Sequence, residues 1–331
     1  MGKWKNYLKI CTSLVVFIFI GVLLSGCQQV ETTAEDGESK LQVAVTIYPL
    51  AEFAKGIVGD RASVTQIIPP GSEPHHWEPA PSDMKTIYET DVFIYHGAGM
   101  ELWVEKILPE LKDRQVKVIK ATERLPLLTF AEEEKLGITN FLRANRTEGL
   151  QEGELEGVFD PHVWLDPVLA KDMVTFMAEE IAAVDKVNAD YYLHNAQLLI
   201  DKLDQLDKEY TTAVVQFPNR DIVVSHAAFG YLAYRYGLCQ IPVLGISPEQ
   251  EPDAATLARV IDFSRQHNIK YIFYESTTSP RIAETIAQEI GVETLALNPI
   301  GALTQEDINK GYDYFYLMRQ NLENLKKALA E

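Results

Sequence analysis

Eight short runs of β-branched and aromatic residues dominate the pattern of this chain, and they fall into two groups of four. Amphipathic stretches with helical spacing separate the runs within each group. Strands that alternate with helices form parallel sheets, because each helix returns the chain to the same end of the sheet. The sequence therefore predicts an α/β fold with two lobes, each built on a four-stranded parallel sheet with flanking helices. The predicted strands are residues 43–48, 64–68, 92–95 and 116–119, then 222–224, 241–244, 271–274 and 294–297.

A single long helix is predicted between the two groups. From residue 189 to about residue 215, apolar residues recur at spacings of three, four and seven, without Gly or Pro. At 1.5 Å per residue such a helix would be about 40 Å long, enough to run the length of a lobe. Two shorter helices with a turn between them are the alternative. The predicted domains are an N-terminal lobe over residues 41–188, a linking helix over 189–216 and a C-terminal lobe over 217–331.

The N-terminal residues predict export and a membrane anchor. Lysines precede an apolar run over residues 10–23 that is short for a membrane span, as in a secretory signal peptide. The run ends in Leu-Ser-Gly-Cys at residues 24–27, which is similar to the bacterial lipobox, whose cysteine becomes the lipidated first residue. An ordinary signal peptide is the alternative. We expect a lipoprotein signal peptide over residues 1–26, a flexible spacer over 27–40 and a lipid anchor on Cys27 that holds the chain outside the bacterial cell membrane.

Charge and cysteine content narrow the class of ligand. Acidic residues outnumber basic ones 48 to 30, for a formal charge of −18. Nucleic-acid binders need a basic stripe, so we expect no nucleic-acid partner. A cation is the ligand that best fits the negative charge. The alternative is that the charge serves only to keep the protein soluble. Cys11 lies in the signal peptide and Cys27 would carry lipid, so only Cys239 remains and no disulfide is expected. A metal site would have to use histidine and carboxylate ligands.

Four histidines lie in loops that the parallel topology would bring together. His75 and His76 lie in a proline-rich loop after the second predicted strand, and His162 lies between prolines ahead of a helix. His226 follows the first strand of the second group. Ligands bind beyond the carboxyl ends of open parallel sheets, so His75 and His226 would face one opening from opposite lobes. Three neutral imidazoles suit Zn²⁺ and leave one position for a carboxylate or water. Spacing alone is weak evidence, because lone loop histidines are common.

Other polar residues could support such a site. His96 ends a strand and could face the same cleft, whereas His194 and His267 are predicted at the surface. Seven glutamates occur between residues 130 and 157, which we interpret as an acidic surface loop, with concentration of cations near a site as the alternative. Candidate acceptors for the ring nitrogens that face away from a metal are Asp160, Asp166, Glu73 and Glu78.

The segments around three of these histidines carry a family resemblance. The runs Pro-His-His-Trp-Glu-Pro at residues 74–79 and Asp-Pro-His-Val-Trp-Leu at 160–165, with His226 after them and a lipobox before them, resemble the metal-binding lipoproteins of ABC transporters for zinc and manganese, the ZnuA/TroA-like family. The resemblance covers nearly all of the mature chain. It implies one metal ion between two four-stranded lobes and delivery to a membrane permease. Histidine as the third ligand, as at His226, resembles the zinc branch, whereas the manganese branch tends to have glutamate.

The fourth ligand departs from the family pattern. The resemblance implies an acid in the loop after the last strand, but Asn298 and Gly301 stand at the expected places and supply no carboxylate. Glu275, after the third strand of the second lobe, could bind the ion. Water is the other option, held by Asn298 or Glu275. The predicted ligands are the three histidines and Glu275, for Zn²⁺ in preference to Mn²⁺. Water in the fourth position is slightly favoured over Glu275, and the site would then be weaker or more exchangeable than one with a carboxylate.

Three classes of function fit these features. Three histidines and a water molecule also form zinc hydrolase sites, because the metal lowers the pKa of its bound water to about 7. The chain has no His-Glu-x-x-His helix, no Gly-x-Ser-x-Gly motif and no phosphate-binding glycine loop of the usual form, so we expect no enzyme. We expect a monomeric binding protein that captures Zn²⁺ and delivers it to an ABC transporter permease. A manganese-binding protein or a metal-dependent surface adhesin is the alternative.

Overall fold

The structure of the chain, a computed structural model, describes residues 40–141, 157–245 and 252–330. The predicted signal peptide, the predicted lipidation site at Cys27 and the spacer up to residue 39 lie outside the described residues. Four of the seven glutamates of the predicted acidic loop, at positions 148, 152, 154 and 156, lie outside them as well. Within the described ranges, no helix combines the length and the apolar character that a membrane span requires.

The N-terminal sheet has four parallel strands in the order β2-β1-β3-β4. The strands are β1 (Leu41–Val45), β2 (Ala62–Gln66), β3 (Val92–Tyr95) and β4 (Lys117–Lys120), and the first helices are α1 (Tyr48–Val58), α2 (Pro81–Tyr88) and α3 (Val104–Asp113). All four residues of β3 are buried, as expected for a central parallel strand with helices on both faces.

The first strand is shorter than predicted. It ends at Val45, and α1 begins at Tyr48 with Pro49 in its first turn. Proline is favoured there because the first helical turn needs no backbone N–H donor and because its φ angle already suits a helix. The apolar run over residues 43–48 therefore belongs partly to a strand and partly to a helix start.

The described part of the acidic segment is not the surface loop that the sequence predicted. Residues Phe130–Lys135 form a short helix, α4, in which Glu132 and Glu134 are exposed but Glu133 is fully buried. After α4 the chain crosses to the other lobe, where Thr139 and Gln240 form a parallel bridge. This segment is therefore a structural connection between the lobes.

One uninterrupted helix joins the two lobes, as predicted. It is α6 (Ala189–Val214), and it packs against α5 (Pro167–Val184). The apolar residues that gave it helical spacing are all buried: Tyr192, Leu199, Leu203, Leu206 and Tyr210. These side chains belong to one apolar cluster that also contains residues of both sheets. The lobes therefore share a core, which a flexible connection would not provide.

The C-terminal sheet repeats the first arrangement, with parallel strands in the order β6-β5-β7-β8. The strands are β5 (Asp221–Val224), β6 (Cys239–Pro242), β7 (Tyr271–Tyr274) and β8 (Glu293–Ala296), and the helices are α7 (Gly230–Tyr236), α8 (Ala254–Gln266), α9 (Arg281–Ile290), α10 (Gln305–Asn309) and α11 (Tyr314–Leu329). The last helix reaches the other lobe, because the ring of Tyr314 packs edge-on against Phe53 of α1 with centroids 5.1 Å apart.

Two polar contacts also tie the lobes together. The guanidinium of Arg235 on α7 donates to both carboxylate oxygens of Asp166, at the start of α5, over 2.8 to 2.9 Å. The indole N–H of Trp164 donates to the carbonyl oxygen of Pro299 at 2.8 Å. Both contacts lie in the segment that follows His162, so they hold that histidine against the C-terminal lobe.

Replacing Leu203 by Ala should destabilise the fold, because Leu203 is fully buried in the core that the two lobes share. Loss of a buried leucine side chain lowers the free energy of unfolding by about 2–5 kcal/mol. Leu198 lies half exposed on the same helix, and Leu198→Ala should change that free energy by about 0.5 kcal/mol or less. Urea denaturation of both variants gives the comparison, and equal losses would contradict the packing described for α6.

Candidate metal centre

Three imidazole rings converge where the two lobes meet. His75 lies in a short 3₁₀ turn (Pro74–His76) after β2, His162 precedes a second such turn (Val163–Leu165), and His226 comes just after β5. One ring nitrogen from each lies within 4.8 Å of the other two. The structure thus brings together the three histidines that the sequence singled out, although they are far apart along the chain.

Two of the converging nitrogens have the spacing that one tetrahedral ion requires. The Nε2 atoms of His75 and His162 are 3.3 Å apart. Two imidazole nitrogens bound to one zinc ion at about 2.0–2.1 Å, with a tetrahedral angle between them, lie about 3.3–3.4 Å from each other. Nε2 of His226 is buried and has no hydrogen-bond partner among the described residues. Its lone pair can therefore bind an ion in the centre of the cluster.

Carboxylates hold two of the rings from behind. One oxygen of Asp160 accepts hydrogen bonds from Nδ1 of His162 at 2.7 Å and from its backbone N–H at 2.9 Å. One oxygen of Glu275 accepts from Nδ1 of His226 at 2.5 Å. A proton on Nδ1 leaves the lone pair on Nε2, which is the tautomer that a metal ion needs. Asp160 therefore has the supporting role predicted for it.

Glu275 lines the cavity together with the three rings, and one of its oxygens accepts from Nδ1 of His226, so its role as a fourth ligand stays a prediction. The amide of Asn298 is held by neighbouring loop groups, because Nδ2 donates to Ser276 Oγ at 3.0 Å and Oδ1 accepts from the backbone N–H of Ile300 at 2.7 Å. Strand position alone could not distinguish a ligand from a residue that holds a ligand.

Of the other three residues predicted to accept from ring nitrogens, only Glu73 lies beside one of the three histidines. Glu73 lies beside His75, and its Oε1 accepts from the backbone N–H of His75 at 2.9 Å and lies 4.0 Å from Nε2 of that ring. It therefore holds the turn that carries the histidine. Asp166 pairs with Arg235 instead of with a ring, and Glu78 is exposed.

The space enclosed by the rings suits a single small ion. The cavity measures about 20 Å³, which is room for about one water-sized particle. Its walls are the three rings together with Met100, Trp164 and Gly301, among others. Trp164 is fully buried and packs edge-on against His162, with ring centroids 5.4 Å apart. Such a wall excludes bulk water and fixes the orientation of the ring.

Burial determines the charge of the three rings. It lowers the pKa of His75 and of His162 well below the usual value, and the neighbouring rings add to the effect. Both rings are therefore neutral at pH 7. Burial also opposes a charge on His226, but the charge and hydrogen bond of Glu275 outweigh it, so the pKa of His226 is raised. Protons therefore compete with a metal ion first at His226 as the pH falls.

The remaining histidines lie outside the cluster. His96 is fully buried, its Nε2 lies 2.5 Å from the carbonyl oxygen of Pro161, and burial lowers its pKa to about 3. It supports the loop that carries His162. His267 pairs with Asp221 at 2.7 Å and remains half exposed, and His76 and His194 are exposed, as predicted for His194 and His267.

Sequence reasoning missed Glu133. It is fully buried, and burial together with the nearby charge of Asp160 raises the pKa of its carboxyl group. The available signal was its spacing of three from Phe130, which places both residues on the buried face of α4. The many neighbouring glutamates hid that signal.

Comparison with known sequences shows a family for the chain. A family model described as the periplasmic zinc-uptake complex component A, ZnuA, matches residues 43–328. The high-affinity zinc uptake system protein ZnuA of Bacillus subtilis (strain 168) is 37% identical over 327 residues, which are 99% of this chain and 98% of that protein. The zinc-binding lipoprotein AdcA of Streptococcus pneumoniae (strain ATCC BAA-255 / R6) is 37% identical over 319 residues, which are 96% of this chain and 60% of AdcA. The chain thus spans about three fifths of AdcA.

Solved structures agree with the fold. The Zn(II)-bound ZnuA-like domain of S. pneumoniae AdcA superposes with a TM-score of 0.74 at 36% identity, covering 88% of this chain and 100% of that one. The laminin-binding protein Lmb of Streptococcus agalactiae, described as bifunctional with adhesin and metal transporting activity, has a TM-score of 0.72 at 31% identity, covering 87% and 99%. The predicted two-lobed α/β fold and the predicted resemblance are confirmed, and the chain belongs to the ZnuA family of metal-binding proteins.

Proposed function

We propose that this chain captures one Zn²⁺ ion outside the cell membrane and delivers it to the permease of an ABC transporter. The observation that carries the proposal is the convergence of Nε2 of His75, His162 and His226 around a space for one ion. Membership of the ZnuA family supports the transport context. The relatives named for zinc uptake and zinc binding support the choice of ion.

The donor atoms favour Zn²⁺ over Mn²⁺. Imidazole nitrogens suit zinc, whereas carboxylate, carbonyl and water oxygens suit manganese. One oxygen of Glu275 already accepts from Nδ1 of His226. We therefore propose that the ligands from the chain are the three imidazole nitrogens.

We propose that water completes the coordination of the ion. Glu73 is the alternative, since its carboxylate lies 4.0 Å from Nε2 of His75. One of its two carboxylate oxygens already accepts from the backbone N–H of His75, whose turn it holds. A water ligand exchanges more easily than a carboxylate, which suits a protein that must hand its ion on.

Binding without catalysis fits the geometry best. In many zinc hydrolases a general base beside the metal assists the attack of the zinc-bound water on the substrate. Asp160 and Glu275 both accept hydrogen bonds from ring N–H groups and hold the rings in that way. A cavity of about 20 Å³ also has no room for an organic substrate beside the ion.

We also propose where the protein acts and how it is held. The signal peptide over residues 1–26, the lipid on Cys27 and the spacer over 27–40 would keep the two lobes near the permease at the outer face of the membrane. The description of S. pneumoniae AdcA as a lipoprotein supports this anchor. All three proposed ligands come from one chain, so a monomer is sufficient.

Surface adhesion is a second candidate, because the chain resembles a solved protein described as both adhesin and metal transporter. Laminin binding to the purified lobes, measured for the wild type and for a variant without zinc binding, would test it. Binding that persists in that variant would assign adhesion to a separate surface.

Replacing His226 by Ala should abolish tight zinc binding, because it removes one of three nitrogen ligands. We expect the zinc dissociation constant to rise by more than about 100-fold, while the apo protein keeps its thermal unfolding midpoint. His267→Ala, which removes a half-exposed ring outside the cluster, is the matched control. Competition calorimetry with Zn²⁺ and Mn²⁺ measures both variants, and an unchanged zinc affinity in His226→Ala would refute the proposed function.

Replacing Glu275 by Gln should weaken zinc binding by about tenfold, since it weakens the acceptor behind His226. It also removes the charge that raises the pKa of His226. Zinc affinity falls as the pH drops through that raised pKa, so the pH below which the affinity begins to fall should move lower in the variant, even though its affinity at neutral pH is weaker. Chelator competition across a pH series measures both effects. Glu293→Gln, at an exposed site of the same lobe, is the control, and an unchanged onset of this fall in Glu275→Gln would contradict the assigned contact.

Replacing Gly301 by Glu should strengthen zinc binding and slow zinc release, if water holds the fourth position. Gly301 lines the cavity, and a Cβ there would lie 3.6 Å from Trp164 and 3.7 Å from Pro74, which are ordinary contacts. A carboxylate from this position can replace the water. Gly301→Gln has the same shape without the charge and is the control. Stopped-flow transfer of zinc to a chelator gives the rates, and a faster release from Gly301→Glu would contradict this arrangement.

A further inference from the structure

The backbone around His162 forms a tight turn. The carbonyl oxygen of Pro161 accepts from the backbone N–H of Val163 at 2.8 Å. His162 lies between these two residues with φ −80° and ψ 39°, near the angles of an inverse γ-turn. The direction in which the side chain of His162 leaves the backbone therefore depends on this turn.

The carbonyl oxygen of Pro161 has a second donor, the ring of His96. Nε2 of His96 lies 2.5 Å from that oxygen. A carbonyl oxygen only accepts hydrogen bonds, so Nε2 carries the ring proton and donates. Nδ1 of His96 is buried and has no hydrogen-bond partner among the described residues. In the described part of the chain, the bond to Pro161 is thus the only hydrogen bond of this ring.

The second donor matters because the first hydrogen bond of the turn is weak. A hydrogen bond between residues two apart closes a small ring and is bent, and bent hydrogen bonds are weak. Residues 161–163 are buried, so bulk water does not reach the carbonyl group of Pro161. A buried carbonyl group without a good donor costs free energy. The ring N–H of His96 provides that donor and so stabilises the turn.

Contacts on several sides fix the position of the His96 ring. His96 directly follows β3, a central strand of the N-terminal sheet. Its backbone N–H donates to Oε1 of Glu101 at 2.9 Å, and its carbonyl oxygen accepts from Oγ1 of Thr122 at 2.7 Å. The ring itself packs edge-on against Trp164, with centroids 5.0 Å apart. The end of β3 therefore presents a fixed donor to the loop that carries His162.

We propose that His96 is a positioning residue for zinc capture. Its hydrogen bond to the carbonyl oxygen of Pro161 holds the γ-turn, and the turn directs the imidazole of His162 towards the point where the three rings converge. His96 itself is not a member of the cluster of converging ring nitrogens. This inference rests on the proposed zinc site, and it adds a residue that acts through the backbone beside a ligand.

Two substitutions of His96 separate the hydrogen bond from the ring. His96→Gln keeps an N–H donor, because its amide nitrogen reaches about as far from the backbone as Nε2 of histidine does. His96→Phe keeps a ring against Trp164 but has no donor. We expect the zinc affinity of His96→Gln to stay within about threefold of the wild type, and that of His96→Phe to fall by about tenfold. His194→Gln and His194→Phe, at an exposed position, are the matched controls and should bind zinc as the wild type does.

The metal-free protein provides a second measurement, one that reports the hydrogen bond itself. Long-range ¹H–¹⁵N NMR spectra show which ring nitrogen of His96 carries the proton, and we expect Nε2. The carbonyl ¹³C resonance of Pro161 moves upfield when its oxygen loses a donor. His96→Gln should keep this resonance near its wild-type position, whereas His96→Phe should shift it. Thermal unfolding of the same samples establishes that each variant is folded.

Three results would overturn the proposal. One is a wild-type His96 ring that carries its proton on Nδ1. Another is a folded His96→Gln that loses as much zinc affinity as His96→Phe, which would assign the effect to packing of the ring. The third is a His96→Phe that keeps the wild-type affinity. If the wild-type protein binds no zinc, the proposed function fails instead, and the Pro161 resonance still decides whether His96 holds the turn.

Discussion

Three imidazole nitrogens that converge on one point form the constraint on which the rest of the site depends. Nε2 of His75 and Nε2 of His162 lie 3.3 Å apart, and two lone pairs at that distance repel each other unless a proton or a metal ion lies between them. Burial disfavours protonation of these two rings. The surrounding structure therefore holds an arrangement that a divalent ion stabilises, and binding requires little reorganisation of the chain.

Contacts between the two lobes hold the three histidines in this arrangement. The apolar cluster that runs through α5 and α6 includes residues of both sheets, so it resists separation of the lobes. The Arg235–Asp166 pair and the Trp164–Pro299 hydrogen bond add polar ties close to His162. Because groups of the chain itself make these contacts between the lobes, any movement on binding is expected to be small. The permease would then have to sense local changes around the cleft.

The sequence predicted the pattern of the fold and the convergence of three histidines better than the contacts around them. Alternating strands and helices gave the two parallel sheets, since periodicity reports directly on burial. Glu133 was assigned to a surface loop because its acidic neighbours hid the helical spacing from Phe130, but it is buried. Glu275 was predicted to bind the ion; one of its oxygens accepts from Nδ1 of His226, and binding of the ion stays a prediction. Chain order locates both residues near the sheet edge, but only side-chain direction separates a ligand from its support.

The backbone bridge between Thr139 and Gln240 covers part of an edge strand that could otherwise pair with another copy of the protein. Backbone hydrogen bonds of 2.8 Å join residues 138 and 140 to Gln240, so the segment after α4 covers part of β6 at the margin of the C-terminal sheet. An uncovered strand at such a margin presents a row of backbone groups to which another chain can add. Lipid anchoring would concentrate many copies on one surface, where such additions would be most frequent. The segment that follows α4 therefore also blocks part of the edge of the C-terminal sheet against pairing between copies of the protein.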